Sequence, residues 1–309
     1  SNMETVFFSN SGAEANEAAI KLARLFGHNK GIEAPVIIVA EQSFHGRTMA
    51  TLSATGNRKV QAGFEPLLSG FARVPYGDVE AVNQVALNNR NVVAIFIEPV
   101  QGEGGIQIPD PQYLNKLKII TKNQDWLLMV DEVQTGMGRT GAWFAHQHND
   151  IFPDVMTLAK GLGNGVPIGA CLARGKAAEI LSPGTHGSTF GGNPLVSRAA
   201  LATIDAIESD SLTDRATFIG NAITEGLRTN FSNEVSIVDI RNKGLMIGIE
   251  LDRSCGSIVD HALEAGLLLN VTADSVIRLL PPLILDSEQI KFLVASLTTV
   301  INKFLDECK

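Results

Sequence analysis

Apolar and polar positions along the chain fall into two rhythms. Short apolar runs at 6–8, 35–40, 92–97, 126–130, 154–159 and 168–173 are each bounded by turn residues. Such runs predict strands buried on both faces, as in a parallel sheet. Between the first two, Ala15, Ala18, Ala19, Leu22, Ala23 and Phe26 share one face at helical spacing. A helix is therefore expected from Glu14, capped by Ser11 or Asn10, with Glu14 and Glu17 in its first turn. An amphipathic helix is expected over 111–124, and a long helical region runs from Leu195 to about Glu208 and resumes near Leu212. From about Ile204 the pattern changes, with strands expected at 235–240, 245–251, 267–271 and 276–280 and helices at 257–265 and 287–305. The order predicts an α/β domain over residues 1–205, with a mostly parallel sheet and helices on both faces. A smaller α+β domain is expected over 206–309.

The strand ends carry the chemistry. The run at 126–130 stops at Asp131-Glu132-Val133-Gln134, and the run at 154–159 ends at Lys160 and a glycine-rich turn. Open α/β sheets bind ligands beyond the carboxyl ends of their strands, so Asp131 and Lys160 are expected to face one cleft. A lysine opposite an acid suits pyridoxal phosphate: the amine condenses with the aldehyde, and the carboxylate keeps the pyridine nitrogen protonated. Taken alone, two such residues more often form an ordinary ion pair. Other segments add to the picture. Ser9-Asn10-Ser11-Gly12-Ala13 feeds a helix N-terminus, where free amides and the helix dipole make a phosphate seat or, more commonly, a plain cap. Phe44 offers a ring to stack on a flat cofactor and Arg47 a clamp for a carboxylate; a capping loop with a solvated arginine fits as well. Gly138-Arg139-Thr140-Gly141 has the look of a phosphate loop but lacks the strand and lysine context of one.

Composition narrows the class. The 309 residues are 45% apolar and 19% charged with 29 glycines, which suits a loop-rich globular α/β protein. A net charge of −8 argues against nucleic acid or an anionic membrane as partner. No apolar run reaches membrane-spanning length and no signal peptide opens the chain. Cys171, Cys255 and Cys308 are widely spaced and read as reduced thiols of a cytoplasmic protein, with no metal spacing. His146 and His148 have no acidic or cysteine companion in register and read as surface residues; no metal site is expected. Ser1-Asn2 ahead of Met3 reads as a scar of tag removal.

Six strings stand in order along the chain: Asn10-Ser11-Gly12-Ala13-Glu14-Ala15-Asn16-Glu17, Phe44-His45-Gly46-Arg47, Glu98-Pro99-Val100-Gln101-Gly102-Glu103-Gly104, Asp131-Glu132-Val133-Gln134-Thr135-Gly136, Ala159-Lys160-Gly161, and Gly187-Ser188-Thr189-Phe190-Gly191-Gly192-Asn193-Pro194. Together they resemble the class III aminotransferases of the type I pyridoxal-phosphate fold. The resemblance implies that Lys160 bonds the cofactor and shuttles the proton, with Asp131 at the pyridine nitrogen. Phe44 and Val133 would flank the ring, Gln134 would bond the phenolic oxygen, and Gly12 and Ala13 would seat the phosphate. Ser188 and Thr189 would also bind the cofactor, Thr189 reaching the phosphate of the other subunit in a homodimer with shared active sites. Arg47 and Arg278 would bind substrate carboxylates, with Glu103 pairing Arg278 until glutamate displaces it.

The substrates so implied are small amino acids and 2-oxo acids. The reaction would move the terminal amino group of N-acetylornithine to 2-oxoglutarate, giving N-acetylglutamate semialdehyde and glutamate in arginine biosynthesis. Ornithine, succinylornithine and gamma-aminobutyrate remain open as donors. An aminomutase of the same fold, or a shortened chain that binds cofactor without turnover, also remains open. Family members carry a substantial segment ahead of the phosphate turn, whereas this chain begins on the strand leading into it. The resemblance places part of the small domain, the pocket and the dimer surface in that segment.

Overall fold

The computed structural model describes residues 1–307, so Cys308 lies outside the described residues. The chain forms two compact units. The larger comprises residues 1–100, 109–137 and 144–206; the smaller comprises 101–108, 138–143 and 207–309.

In the larger unit the elements are β1 (Thr5–Ser9), α1 (Gly12–Asn29), β2 (Val36–Ala40), α2 (Met49–Ala54), α3 (Arg58–Gln61), β3 (Phe71–Val74), α4 (Val79–Asn88), β4 (Val92–Ile97), α5 (Tyr113–Gln124), β5 (Leu127–Asp131), β6 (Val155–Leu158), β7 (Gly169–Ala173) and α6 (Pro194–Ser209). The sheet order is β1-β7-β6-β5-β4-β2-β3. β7 runs antiparallel to both its neighbours, and the other adjacent strands pair in parallel. Side chains alternate across each strand. Ile37, Val39, Phe96, Leu127 and Met129 therefore pack with the apolar face of α1. Ile38, Ala40, Ile95, Ile97 and Leu128 pack with Leu114 and Leu117 of α5 on the opposite face. Two covered faces explain why these strands read as unbroken apolar runs.

Four elements were not legible in the sequence, among them the four-residue α3. β3 is a short edge strand, and the Arg73 guanidinium on it donates to the carbonyls of Ser53 and Thr55. α2 has only six residues. Its N-terminus is capped from another helix: the Glu17 carboxylate accepts from the Thr48 hydroxyl and from the amides of Ala50 and Thr51. α4 buries a single residue, Val82, so its apolar stripe is too thin to stand out.

The smaller unit contains α7 (Leu212–Asn230), β8 (Ile237–Lys243), β9 (Met246–Leu251), α8 (Ile258–Glu264), β10 (Asn270–Thr272), β11 (Val276–Leu279) and α9 (Ser287–Glu307). Its sheet, ordered β10-β11-β9-β8, is antiparallel throughout. Ile247, Ile249 and Leu251 of β9 meet Ile219, Ile223 and Leu227 of α7 and Leu297, Ile301 and Phe304 of α9 in one core. Two strands sit later than expected. β8 extends to Lys243 because a tight turn at Gly244, φ +54, brings Lys243 opposite Met246. β10 starts only at Asn270, since Leu267 is still tied to α8 through its amide to Ala262 O.

Candidate active site

The carboxyl ends of the parallel strands in the larger unit open onto a cleft of about 460 Å³. Gly12, Ala13, Phe44, Arg47, Asp131, Val133, Gln134 and Lys160 all line it. This is the crevice position expected for an open α/β sheet.

Asp131 ends β5 and is 4% exposed. Its Oδ1 accepts the Val133 amide at 3.0 Å. Its Oδ2 accepts Asn16 Nδ2 at 2.8 Å and lies 2.9 Å from His45 Nδ1. Asn16 also donates to the His45 carbonyl at 2.7 Å, tying the two supports together. The His45 ring stacks on Phe96 with centroids 4.3 Å apart. Neither support stands out in the sequence. The signal for them is polar Asn16 on the buried face of α1 and His45 inside one of the six strings.

Lys160 follows β6 with φ +43, a left-handed backbone that is uncommon outside glycine. Such strain persists where the surrounding structure imposes it, and it clusters at active sites. The amides of Gly12 and Ala13 precede the first intrahelical bond of α1, from Ala15 N to Ser11 O. Ser11 caps the helix by accepting Glu14 N at 3.2 Å. An 18-residue helix therefore presents free donors and its positive dipole end to the cleft. Glycine is required at 12, because a Cβ there would stand 2.7 Å from Val133 Cγ1.

The second turn of the site is anchored through Glu132, which is 1% exposed. It accepts from the Thr135 hydroxyl, from the amides of Ala145 and His146 at 2.9 Å, and meets His146 Nδ1 at 3.0 Å. This corrects the reading of His146 as a surface residue: it is buried and braces the loop carrying Val133 and Gln134. Its acidic companion lies 14 residues away, outside any short-range spacing.

Other expected residues fall elsewhere. Ser188 and Thr189 are exposed and line a neighbouring groove with Asn10, Glu14, Lys21 and Phe190. Glu103 and Arg278 lie in the smaller unit, where Glu103 Oε1 and Arg278 Nη1 are 2.7 Å apart. Arg278 is 8% exposed there and also donates to Asn270 Oδ1 at 3.2 Å.

The cleft fits pyridoxal phosphate. Gln134 carries a buried amide oxygen without a partner, an end left for a ligand to satisfy in either orientation of the amide. Phe44 supplies a ring, with the Arg47 guanidinium 5.8 Å from its centroid. Amine, acid, aromatic face and helix N-terminus each answer one part of that cofactor. The chain is thus a pyridoxal-phosphate-dependent enzyme of the type I fold. The Aminotransferase class-III family matches residues 1–301, and the chain belongs to it.

Among curated relatives, acetylornithine aminotransferase of Nitrosomonas europaea is 58% identical over 306 residues, spanning 99% of this chain and 78% of that protein. The enzyme of the same name from Methanothermobacter thermautotrophicus is 48% identical over 97% of this chain and 75% of its own length. Of solved structures, ornithine aminotransferase from Toxoplasma gondii ME49 superposes with a TM-score of 0.94 at 35% identity, covering 99% of this chain and 74% of that one. Acetylornithine aminotransferase from Elizabethkingia anophelis superposes with a TM-score of 0.84 at 34% identity, covering 97% and 75%.

Proposed function

We propose that this chain transfers the terminal amino group of N-acetylornithine to 2-oxoglutarate, as a cytoplasmic homodimer serving arginine biosynthesis. When bound, pyridoxal phosphate supplies the aldehyde that takes up the amino group and a ring that withdraws electrons from the reacting carbon. Lys160 is the amine that holds the cofactor and moves the proton at the reacting carbon. Asp131, oriented by Asn16, His45 and the Val133 amide, keeps a proton on the pyridine nitrogen. Phe44 and Val133 flank the ring, Gln134 takes the phenolic oxygen, and Gly12 and Ala13 hold the phosphate. Ser188 and Thr189 complete that phosphate seat, Thr189 from the opposite subunit.

The observation that carries the substrate assignment is the Glu103–Arg278 pair. N-acetylornithine has one carboxylate, distant from its reacting carbon, and Arg47 serves it. Glutamate has a second carboxylate beside its reacting carbon, and Arg278 serves that one. A buried arginine left unpaired costs roughly 3–5 kcal/mol, so it needs a counter-ion while the other substrate reacts. Glu103, 40% exposed on its side chain, can supply that charge and swing aside when glutamate arrives. The likeness to ornithine aminotransferase structures favours ornithine as the second candidate donor.

The test follows the cofactor absorbance of the purified chain. N-acetylornithine should bleach the visible band, and 2-oxoglutarate should restore it. Bleaching by ornithine at a greater kcat/KM would reassign the donor. No bleaching by any omega-amino acid would refute turnover. Borohydride reduction and peptide mapping should place the cofactor on Lys160, and label on another lysine would displace that assignment.

A further inference from the structure

The turn that carries Glu103 is built in an unusual way. Gln101 and Gln107 pair across its base, N to O at 3.1 and 3.0 Å. Its far side runs through Gly105 at φ +99 and Ile106 at φ +50. A β-branched residue at positive φ is a genuine outlier, and such strain persists only where the surrounding structure imposes it. Something must hold it. Ile106 is fully buried against Gly248, where a Cβ would come 3.0 Å from that of Ile106, so a missing side chain makes room for the plug.

The stronger hold is Arg241 on β8. Its Nε donates to Ile106 O at 2.8 Å and its Nη2 to Gly105 O at 2.6 Å, so one edge of the guanidinium grips two successive carbonyls. The remaining Nη1 is turned to Asp239 at 2.9 Å and Glu250 at 2.6 Å, which aim the fork. Thr272 adds a third tether, donating its hydroxyl to the Glu103 carbonyl. The main chain on both sides of the Glu103 side chain is therefore pinned, while that side chain stays partly exposed and bonded to Arg278.

We infer that Arg241 is a positioning residue for Glu103: it fixes the strained turn so that Glu103 meets and leaves Arg278 by side-chain rotation alone. The inference rests on the assignment of Glu103 as the removable counter-ion of Arg278. Without the clamp the strained turn relaxes, Glu103 no longer stands at its post, and Arg278 remains uncompensated. The step that suffers is the one needing a neutralised Arg278, the half-reaction with N-acetylornithine. Lysine cannot replace Arg241, because a single ammonium does not bridge two carbonyls as the planar fork does.

The experiment measures single-turnover half-reactions with N-acetylornithine and with glutamate for wild type, Arg241→Lys, Glu103→Ala and the double variant. Amide exchange across residues 102–107 is measured in parallel. Arg241→Lys should speed exchange at Gly105 and Ile106. It should slow the N-acetylornithine half-reaction about tenfold, the order carried by one charge-assisted hydrogen bond, and leave the glutamate half within about twofold. In the Glu103→Ala background it should change the ratio no further. Equal loss in both halves, unchanged exchange, or an undiminished effect in that background would overturn the inference. If Arg241→Lys speeds exchange while Glu103→Ala leaves the ratio unmoved, the clamp is real but the counter-ion reading has failed, and the positioning role falls with it. Should Arg241→Lys fold poorly, Thr272→Val removes the third tether and should shift the ratio in the same direction; no shift would count against the inference.

Discussion

At the scale of single residues, the site depends on carboxylates that are each held by several donors. Asp131 Oδ2 is held between an amide nitrogen and an imidazole nitrogen, leaving Oδ1, bonded only to the Val133 amide, with lone-pair capacity to spare. An Asp131→Asn amide is neutral and cannot hold a proton on the pyridine nitrogen. That variant should keep its thermal midpoint within a few degrees and lose about 100-fold or more in kcat, the order seen when one preorganised electrostatic group is removed. Near-normal turnover would remove Asp131 from the chemistry. Glu132 has four donors on its two oxygens, so Glu132→Gln sets an amide N–H against at least one of them. Its expected signature is weaker cofactor binding, read by titrating the apoenzyme, since the loop it braces carries Val133 and Gln134.

At the scale of elements, the seat between α1 and the turn after β5 leaves no room for a side chain. Gly12→Ala would press a methyl within 2.7 Å of Val133 Cγ1 and force helix and turn apart. Overpacking of this kind costs roughly 1–3 kcal/mol, so cofactor affinity should fall by about ten- to a hundredfold. Gly256→Ala is the control, because a Cβ there meets nothing within 4 Å. It should leave cofactor affinity unchanged; an equal loss in both variants would point to general destabilisation instead of a blocked seat.

At the scale of the whole molecule, two readouts address burial and assembly. Burial pushes the Cys171 thiol up from 9.0 to about 12 and the Cys255 thiol to about 11. The folded state thus favours the protonated thiols. Their contribution to stability is fully present below about pH 9 and is lost as the pH climbs toward those raised values. Both thiols should resist alkylation in the native protein at neutral pH and react on unfolding, as followed by mass spectrometry of the two peptides. Rapid native labelling of either would contradict its burial. Assembly is read from the exposed apolar side chains of Phe190, Leu195 and Leu201 near Thr189 in sequence, an uncovered set that suits a subunit interface. Light scattering of the cofactor-loaded protein should give a dimer, and Thr189→Ala should weaken cofactor binding without altering the monomer's fold. A monomer with full cofactor occupancy would end the shared-phosphate reading.

Local pattern by itself determined the apolar strands of the larger unit other than β3, a helix from about Glu14 with its cap at Ser11 or Asn10, and the placing of Asp131 and Lys160 at strand ends. Those features rest on side-chain alternation and on interactions within a few residues, which spacing records directly. Tertiary structure alone decided what surrounds them. Asn16 meets Asp131 across 115 positions, and Arg241 grips the Glu103 turn across more than 130. Glu17 caps α2 from another helix, and Glu132 draws His146 from an expected surface place into the interior. Each of these is a buried or half-buried polar group satisfied by a distant partner, and hydrogen-bonding demand away from water is met by whatever the packed chain brings near, not by neighbours in sequence.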